Sequence, residues 1–284
     1  MRTLRTVSEL RDHLRAERQA GRTIGLVPTM GAFHAGHVSL MERARAETDV
    51  VVVSLFVNPT QFAPTEDLAA YPRDEARDAA IAQETGVDVL FAPPVAQVYP
   101  DGFQTTVHVG ALAESLEGAQ RPGHFDGVAT VVTKLLNMVG PDVAFFGQKD
   151  AQQALIVRRV VRDLDIPVRI EVCPTVREPD GLAMSSRNAY LAPPERERAV
   201  ALRRALDAAE AAVAAGERDA AAVATAARGA MEPYGVEPEY LALVASDSLQ
   251  PVEQIDGEIL VALAARVGHA RLIDNTLIKT NGRP

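Results

Sequence analysis

The sequence predicts an α/β protein, a doubly wound parallel sheet followed by a smaller α+β domain, and three observations carry that prediction. First, short apolar runs recur along the first two thirds of the chain: Ile24-Gly25-Leu26-Val27, residues 50–57 (VVVVSLFV), Asp88-Val89-Leu90-Phe91, Val143-Ala144-Phe145-Phe146 and residues 168–172 (VRIEV). Near-continuous β-branched runs suit strands covered on both faces, as in a parallel sheet. Second, helical patterns at about 73–85, 126–139 and 150–164 lie between those runs. Strand and helix in alternation imply a doubly wound, Rossmann-like sheet. Third, the texture changes after about residue 176. Residues 195–231 become alanine-rich and charged, and three extended runs with short connections follow.

Taken in order, residues 7–20 read as a helix with Ser8 as N-cap. The strand at 24–27 runs into Pro28-Thr29-Met30-Gly31-Ala32-Phe33-His34-Ala35-Gly36-His37, and a helical pattern starts at Val38. The strand at 50–57 is followed by the loop Asn58-Pro59-Thr60-Gln61. Ligands of open α/β sheets bind at the carboxyl ends of the strands, so these two loops should share one crevice. Residues 195–231 read as two helices broken near Gly216, with alanine of the kind solvent-exposed helices tolerate. Residues 240–245, 259–267 and 271–278 read as antiparallel strands. The expected boundary is therefore near 175, with a Rossmann-like domain over 1–175 and a smaller C-terminal lid domain over 176–284.

Composition narrows the function. The chain has 284 residues, 47% of them apolar, which is enough for a sizeable core. Its 29 basic and 38 acidic residues leave a net charge of −9, which disfavours a nucleic-acid binder. One cysteine, Cys173, excludes an internal disulfide and fits a reducing cytoplasm. Charges at Arg2, Arg5, Glu9, Arg11 and Asp12 interrupt any signal-like run, and no membrane span is expected.

The segment 28–37 carries the sharpest chemistry. A strand, a glycine turn and a helix start present backbone N–H groups to an anion, and two histidines sit there three residues apart. His34 and His37 could be a metal pair, capping histidines, or donors to a phosphate. Zinc needs further ligands that the sequence does not offer nearby. Gly31 and Gly36 permit close backbone approach, which favours phosphate. Gly147-Gln148-Lys149-Asp150 again sets a glycine turn at a helix start, now with a lysine. Met184-Ser185-Ser186-Arg187-Asn188 offers two hydroxyls and a guanidinium that can wrap a triphosphate. Gln61 and Gln153 are neutral amides able to orient hydroxyls or a carboxylate. The Walker A pattern, the dinucleotide fingerprint and the nucleophile elbow are all absent from the sequence.

Together these motifs resemble a known family. HAGH after the first strand and MSSRN far downstream resemble the paired signatures of the HxGH nucleotidylyltransferase superfamily. More closely, PTMGAFHAGH, FVNPTQF, YPRD, LEGAQRPGHFDGV, FFGQKDAQQ and MSSRNAYL resemble, in the same order, the pantothenate synthetase (pantoate–β-alanine ligase) family. The resemblance implies that ATP and (R)-pantoate give pantoyl adenylate and pyrophosphate. The amine of β-alanine then releases AMP and forms pantothenate. It implies ATP contacts at Met30, Gly31, Ala32, Phe33, His34, Ala35, Gly36, His37, Gly147, Gln148, Lys149, Asp150, Val176, Met184, Ser185, Ser186 and Arg187. Among these, His37, His34, Lys149 and Arg187 would carry catalysis, Asp150 would lie near the ribose and Val176 would hold adenine by its backbone. Gln61 and Gln153 would hold pantoate, Gln61 would also meet β-alanine, and Asn58 would share the substrate pocket. Tyr71, Glu117 and Arg121 match lesser positions of that pocket or its flap. The resemblance further implies Mg²⁺, a homodimer and a cytoplasmic enzyme without nucleic-acid or membrane partners.

Some positions depart from the family pattern. Phe33 and Ala35 stand where Leu and Glu are frequent, and Arg77 stands where an acidic residue is frequent. Its neighbour Asp78 is the one metal-ligand candidate, with Mg²⁺ otherwise held by phosphates and water. A nucleotidylyltransferase that leaves the nucleotide on its product, and a non-catalytic nucleotide-binding regulator, are the competing readings.

Overall fold

The structure, a computed structural model, describes residues 1–63, 68–69 and 71–280. The chain forms two compact units, Met1–Gln148 with Gln152–Pro174, and Lys149–Ala151 with Thr175–Pro284.

In the first unit the apolar runs form strands as the β-branched pattern requires. These are β1 (Arg2–Leu4), β2 (Ile24–Thr29), β3 (Val50–Leu55), β4 (Val89–Phe91), β5 (Val143–Gly147) and β6 (Arg169–Cys173). All neighbouring pairs are parallel, in the order β1-β4-β3-β2-β5-β6. Val50, Val51, Val52 and Val53 are all buried. Each such side chain contributes roughly 1.5–3 kcal/mol relative to exposure. Gly25 is needed at its place in β2, because a Cβ there would lie 2.5 Å from Thr48 Oγ1. The helices that begin within this unit are α1 (Val7–Gln19), α2 (Ala35–Glu47), α3 (Glu75–Glu84), the single turns α4 (Val95–Val98) and α5 (Glu117–Gln120), and α6 (His124–Val139). Helix α7 (Ala151–Asp163) follows β5.

Two local expectations are corrected here. Helix α1 is capped by Thr6 rather than Ser8: Thr6 Oγ1 accepts from the Glu9 N–H at 3.2 Å, and Glu9 Oε2 accepts from the Thr6 N–H at 3.0 Å. That reciprocal pair satisfies two donors where Ser8 would satisfy one. Strand β1 was not expected and forms a sheet edge by pairing Arg2, Thr3 and Leu4 with β4.

The topology also marks a crevice. The chain runs β2, β3, β4 toward one edge and then returns as β5 on the other side of β2. Strand order reverses at β2, and such a switch point is where α/β sheets bind ligands, beyond the carboxyl ends of the strands. Residues 30–34 leave the end of β2 there, and Gln148 leaves the end of β5.

The second unit has α8 (Pro193–Ala199), α9 (Ala201–Ala214), α10 (Ala220–Gly229) and the antiparallel sheet β7 (Pro238–Ala245), β8 (Glu258–Val267) and β9 (Ala270–Lys279). The alanine-rich helices are not the exposed ones the sequence suggested. Ala199, Ala201, Ala205, Ala209, Ala220 and Ala227 are buried with Leu202, Leu206, Val223, Ile259, Val261 and Leu263 in one core. Alanine there permits close packing of helix against helix and sheet. The buried Asp274 of β9 is held in bidentate fashion by Arg177, at 2.6 and 2.9 Å. No helix of the described residues is long and apolar enough to cross a membrane.

Candidate active site

The geometry of HAGH explains its spacing. His34 is the N-cap of α2, and its Nδ1 accepts from the Gly36 N–H at 3.1 Å. His37 stands at the third helical position, and its Nδ1 accepts from the His34 N–H at 3.3 Å. This is a capping box built from two imidazoles instead of a hydroxyl and a carboxylate. A neutral ring that accepts at Nδ1 carries its proton on Nε2, so both histidines are fixed as Nε2–H donors. Gly36 is required by the same arrangement: a Cβ there would lie 2.8 Å from His34 Cε1 and 2.9 Å from Nδ1. The two rings lie 4.2 Å apart centre to centre, and Phe33 lies 5.4 Å from His37. Of the three roles open to these histidines, capping is therefore observed. The cap makes Nε2 the ring position that carries the proton.

The turn before them is engaged from within. Gly31 N–H donates to Thr29 Oγ1 at 3.3 Å, Ala32 N–H to Asp78 Oδ2 at 2.8 Å and Phe33 N–H to Asp78 Oδ1 at 2.8 Å. These three amides are thus satisfied by side chains of the protein itself. The anion they cradle is the protein's own carboxylate, and the Phe33 side chain belongs to the core. Asp78 is 1% exposed and both of its oxygens accept backbone N–H bonds. Among the described residues no cluster of three histidine, cysteine or acidic side chains could hold a metal. The described residues do not form a protein cage for Mg²⁺.

The loop after β3 is a 3₁₀ turn, Pro59–Gln61, with Asn58 as its N-cap. Asn58 is 1% exposed and fully engaged. Its Oδ1 accepts from Tyr99 Oη at 2.8 Å and from Thr60 Oγ1 at 3.0 Å, and its Nδ2 donates to Gln61 Oε1 and Gly127 O, each at 3.1 Å. Asn58 is thus an internal pin which orients the Gln61 amide. Gln61 Nε2 reaches Met30 Sδ at 3.1 Å, so the loops after β2 and β3 do meet. His124, which sequence reasoning passed over inside the quoted GHFDGV motif, accepts from Arg121 Nη1 at Nε2 (3.1 Å) and so donates from Nδ1 to Gln61 O (2.9 Å). Burial raises the Tyr99 hydroxyl pKa, with the Thr60 hydrogen bond opposing it.

Sequence reasoning also passed over Gln152, beside Gln153. Gln152 is 5% exposed, accepts from the Glu117 N–H at 3.0 Å, and donates to Leu112 O and Ser115 O, each at 2.8 Å. It fastens the segment before α5, while Gln153 is half-buried. Sequence alone could not separate two adjacent glutamines, which face about 100° apart around a helix.

In the second unit, Lys149 is mostly buried and lies 3.5 Å from Asp150. Its carbonyl accepts from Asn275 Nδ2 at 2.9 Å. Val176 O accepts from the Met184 N–H at 3.0 Å, and Ser185 caps the 3₁₀ turn Ser186–Tyr190 by accepting from the Arg187 N–H at 3.3 Å. Asn188 ties this turn to Glu178 Oε1 at 2.9 Å and Ala183 O at 3.1 Å. Among the described residues Arg187 makes no ion pair, whereas the nearby Arg196 is engaged by Glu178 and Asp180 at 2.7 and 2.6 Å.

A parallel sheet with an HxGH helix start at its switch point defines a nucleotide-using enzyme of the HxGH class. A profile described as pantoate-beta-alanine ligase matches residues 2–277. The pantothenate synthetase of Moorella thermoacetica is 52% identical over 99% of this chain and all of its own length. That of Agrobacterium fabrum is 55% identical over 98% of this chain and 96% of its own. The crystal structure of pantothenate synthetase from Thermus thermophilus matches with a TM-score of 0.93 at 50% identity, covering 97% of this chain and 99% of that one. A pantoate-beta-alanine ligase from Francisella tularensis, complexed with beta-gamma ATP and beta-alanine, matches with a TM-score of 0.79 at 35% identity, over 98% and 97%. The chain belongs to the pantoate–β-alanine ligase family. It is an ATP-dependent ligase that joins pantoate to β-alanine by way of a pantoyl adenylate.

Proposed function

We propose that the Nε2–H groups of His34 and His37 donate to the phosphates of ATP while the adenylate forms. The observation that carries this reading is the double imidazole cap, which fixes both rings as Nε2 donors. A pantoate carboxylate oxygen attacks the α-phosphorus, the bond to the β-phosphate oxygen breaks and pyrophosphate leaves. The attack brings anions together, so donors there strengthen as charge develops. The amine of β-alanine then attacks the acyl carbon, AMP departs with the bonding electrons and the amine loses its proton. No protein nucleophile enters, and catalysis rests on positioning and charge stabilisation.

In this assignment Lys149 and Arg187 supply cationic phosphate contacts, with Met184, Ser185 and Ser186 beside them. Met30, Ala35, Gly36, Gly147 and Gln148 line the nucleotide, Asp150 meets the ribose and the Val176 backbone meets adenine. Gln61 and Gln153 hold pantoate; a polar site that pairs the substrate's hydroxyls rejects analogues lacking them. The larger unit, Met1–Gln148 with Gln152–Pro174, is assigned the binding of ATP and pantoate, and the smaller unit, Lys149–Ala151 with Thr175–Pro284, the role of a lid. Magnesium would enter with ATP and would be held by phosphates and water, where it would offset phosphate charge. The enzyme works as a homodimer in the cytoplasm, as its family resemblance suggests.

The test is His37→Ala, assayed for pantoate-dependent pyrophosphate release. Loss of one such donor should lower kcat by about 10² to 10³ with the fold intact by circular dichroism. Wild-type turnover would remove His37 from the mechanism.

A further inference from the structure

We propose that Asp78 is a positioning residue for adenylation, acting through His34 and His37. The inference rests on the reading of those histidines as phosphate donors. Asp78 lies in the first turn of α3 and is 1% exposed. A buried carboxylate is costly unless it is compensated. Among the described residues no cation pairs with it. Compensation comes from two consecutive amides, Ala32 N–H on Oδ2 and Phe33 N–H on Oδ1, each at 2.8 Å.

Those two bonds hold a backbone that would not hold itself. Ala32 has φ +53°, a conformation that residues with a Cβ rarely adopt, and Gly31 before it has φ +90°. A Cβ on Gly31 would lie 2.9 Å from Asp78 Oδ2 and 2.7 Å from Leu55 Cδ1. Successive N–H groups in such a turn form an anion-binding concavity, and here a side-chain carboxylate fills it. The residue after Phe33 is His34, whose φ of −136° and ψ of 176° place it as the N-cap that receives the Gly36 N–H and offers its own N–H to His37. Asp78 therefore sets the exit direction of the turn, and the turn sets both imidazoles. The carboxylate also explains why this phosphate-type turn uses imidazole donors: its amides are already engaged.

Asp78→Asn keeps the shape but offers one acceptor where two donors arrive, so one amide faces an N–H₂ group. Displacement of a catalytic group by about 1 Å can cost about 10²-fold. The experiment is a cycle of Asp78→Asn, His37→Ala and the double variant, read as kcat for pantoate-dependent pyrophosphate release. Asp78→Asn should lose about 10- to 100-fold in kcat. The double variant should fall no more than about threefold below His37→Ala alone, because residues that act as a unit are non-additive. A double variant showing the full product of the two losses overturns the proposal while leaving the histidine reading intact. A fully active His37→Ala overturns that reading, and the proposal with it. A second measurement needs no variant. Amide exchange at Ala32 and Phe33 should be slow in the free enzyme and unchanged by MgATP, whereas fast exchange that slows only with MgATP would assign those amides to phosphate and overturn the proposal.

Discussion

Gly36→Ala separates folding from chemistry in one methyl group. Gly36 occupies the second helical position of α2, where alanine has no conformational objection and a helix gains up to about 1 kcal/mol over glycine. The added Cβ would lie 2.8 Å from His34 Cε1 and 2.9 Å from Nδ1, closer than carbon atoms approach. The imidazole can rotate away, so what is lost is the His34 cap, worth about 1 kcal/mol. Gain and loss nearly cancel, and the midpoint of thermal unfolding should move by no more than about 4 °C in either direction. The displaced ring no longer presents Nε2 as before, and the His34 N–H that orients His37 shifts with it. Pyrophosphate release should then fall by about 10²-fold. Circular-dichroism melting and a pyrophosphate-coupled assay on the same preparation read both quantities. A variant with wild-type turnover, or one that fails to fold, would refute the argument that Gly36 exists to admit the His34 ring.

Arg177→Met leaves Asp274 buried with, among the described residues, only the Asn275 N–H, at 2.8 Å, to compensate it. Urea unfolding should show a loss of about 3 kcal/mol, while the double change Arg177→Met with Asp274→Leu recovers much of it. Asp180 is held below its ordinary value of 3.8 chiefly by its hydrogen bond to Arg196, against some burial. A depressed carboxylate contributes stability above its ordinary pKa and loses it as pH falls through the depressed value. The difference in melting temperature between wild type and Asp180→Asn should therefore be small at neutral pH, because Asp180 is 40% exposed, and should vanish as acidification passes the depressed value. Burial raises the Cys173 thiol, with Glu171 adding to the effect, so iodoacetamide should label the native protein far more slowly than the urea-unfolded one.

What the sequence disclosed depended on the range of the interaction. The parallel strands were legible because Val50, Val51, Val52 and Val53 are apolar on both faces, and the antiparallel end because its runs are joined by short turns. Strand β1 was not, since Arg2, Thr3 and Leu4 carry no period and become a strand only by pairing with β4, some 87 positions away. The break near Gly216 was visible, but the one at Val200, between α8 and α9, has no glycine or proline to mark it. The alanine-rich helices misled because composition reports tolerance of exposure, whereas packing decides which face is buried. At the site, the histidine spacing was legible as a helix start. The partner of the glycine turn was not, because Asp78 lies 46 residues beyond Ala32 and reaches it through the fold alone. The same holds for Tyr99, 41 residues from Asn58, and for His124, 63 residues from Gln61.

The central claim is that this chain activates a carboxylate as its adenylate. The direct measurement is to supply MgATP, β-alanine and pantoate carrying ¹⁸O in its carboxylate, and to weigh the AMP released. The account predicts AMP formation that depends on both pantoate and β-alanine, with one ¹⁸O transferred to the AMP phosphate. AMP without the label, or a nucleotide that remains on the product, would contradict it.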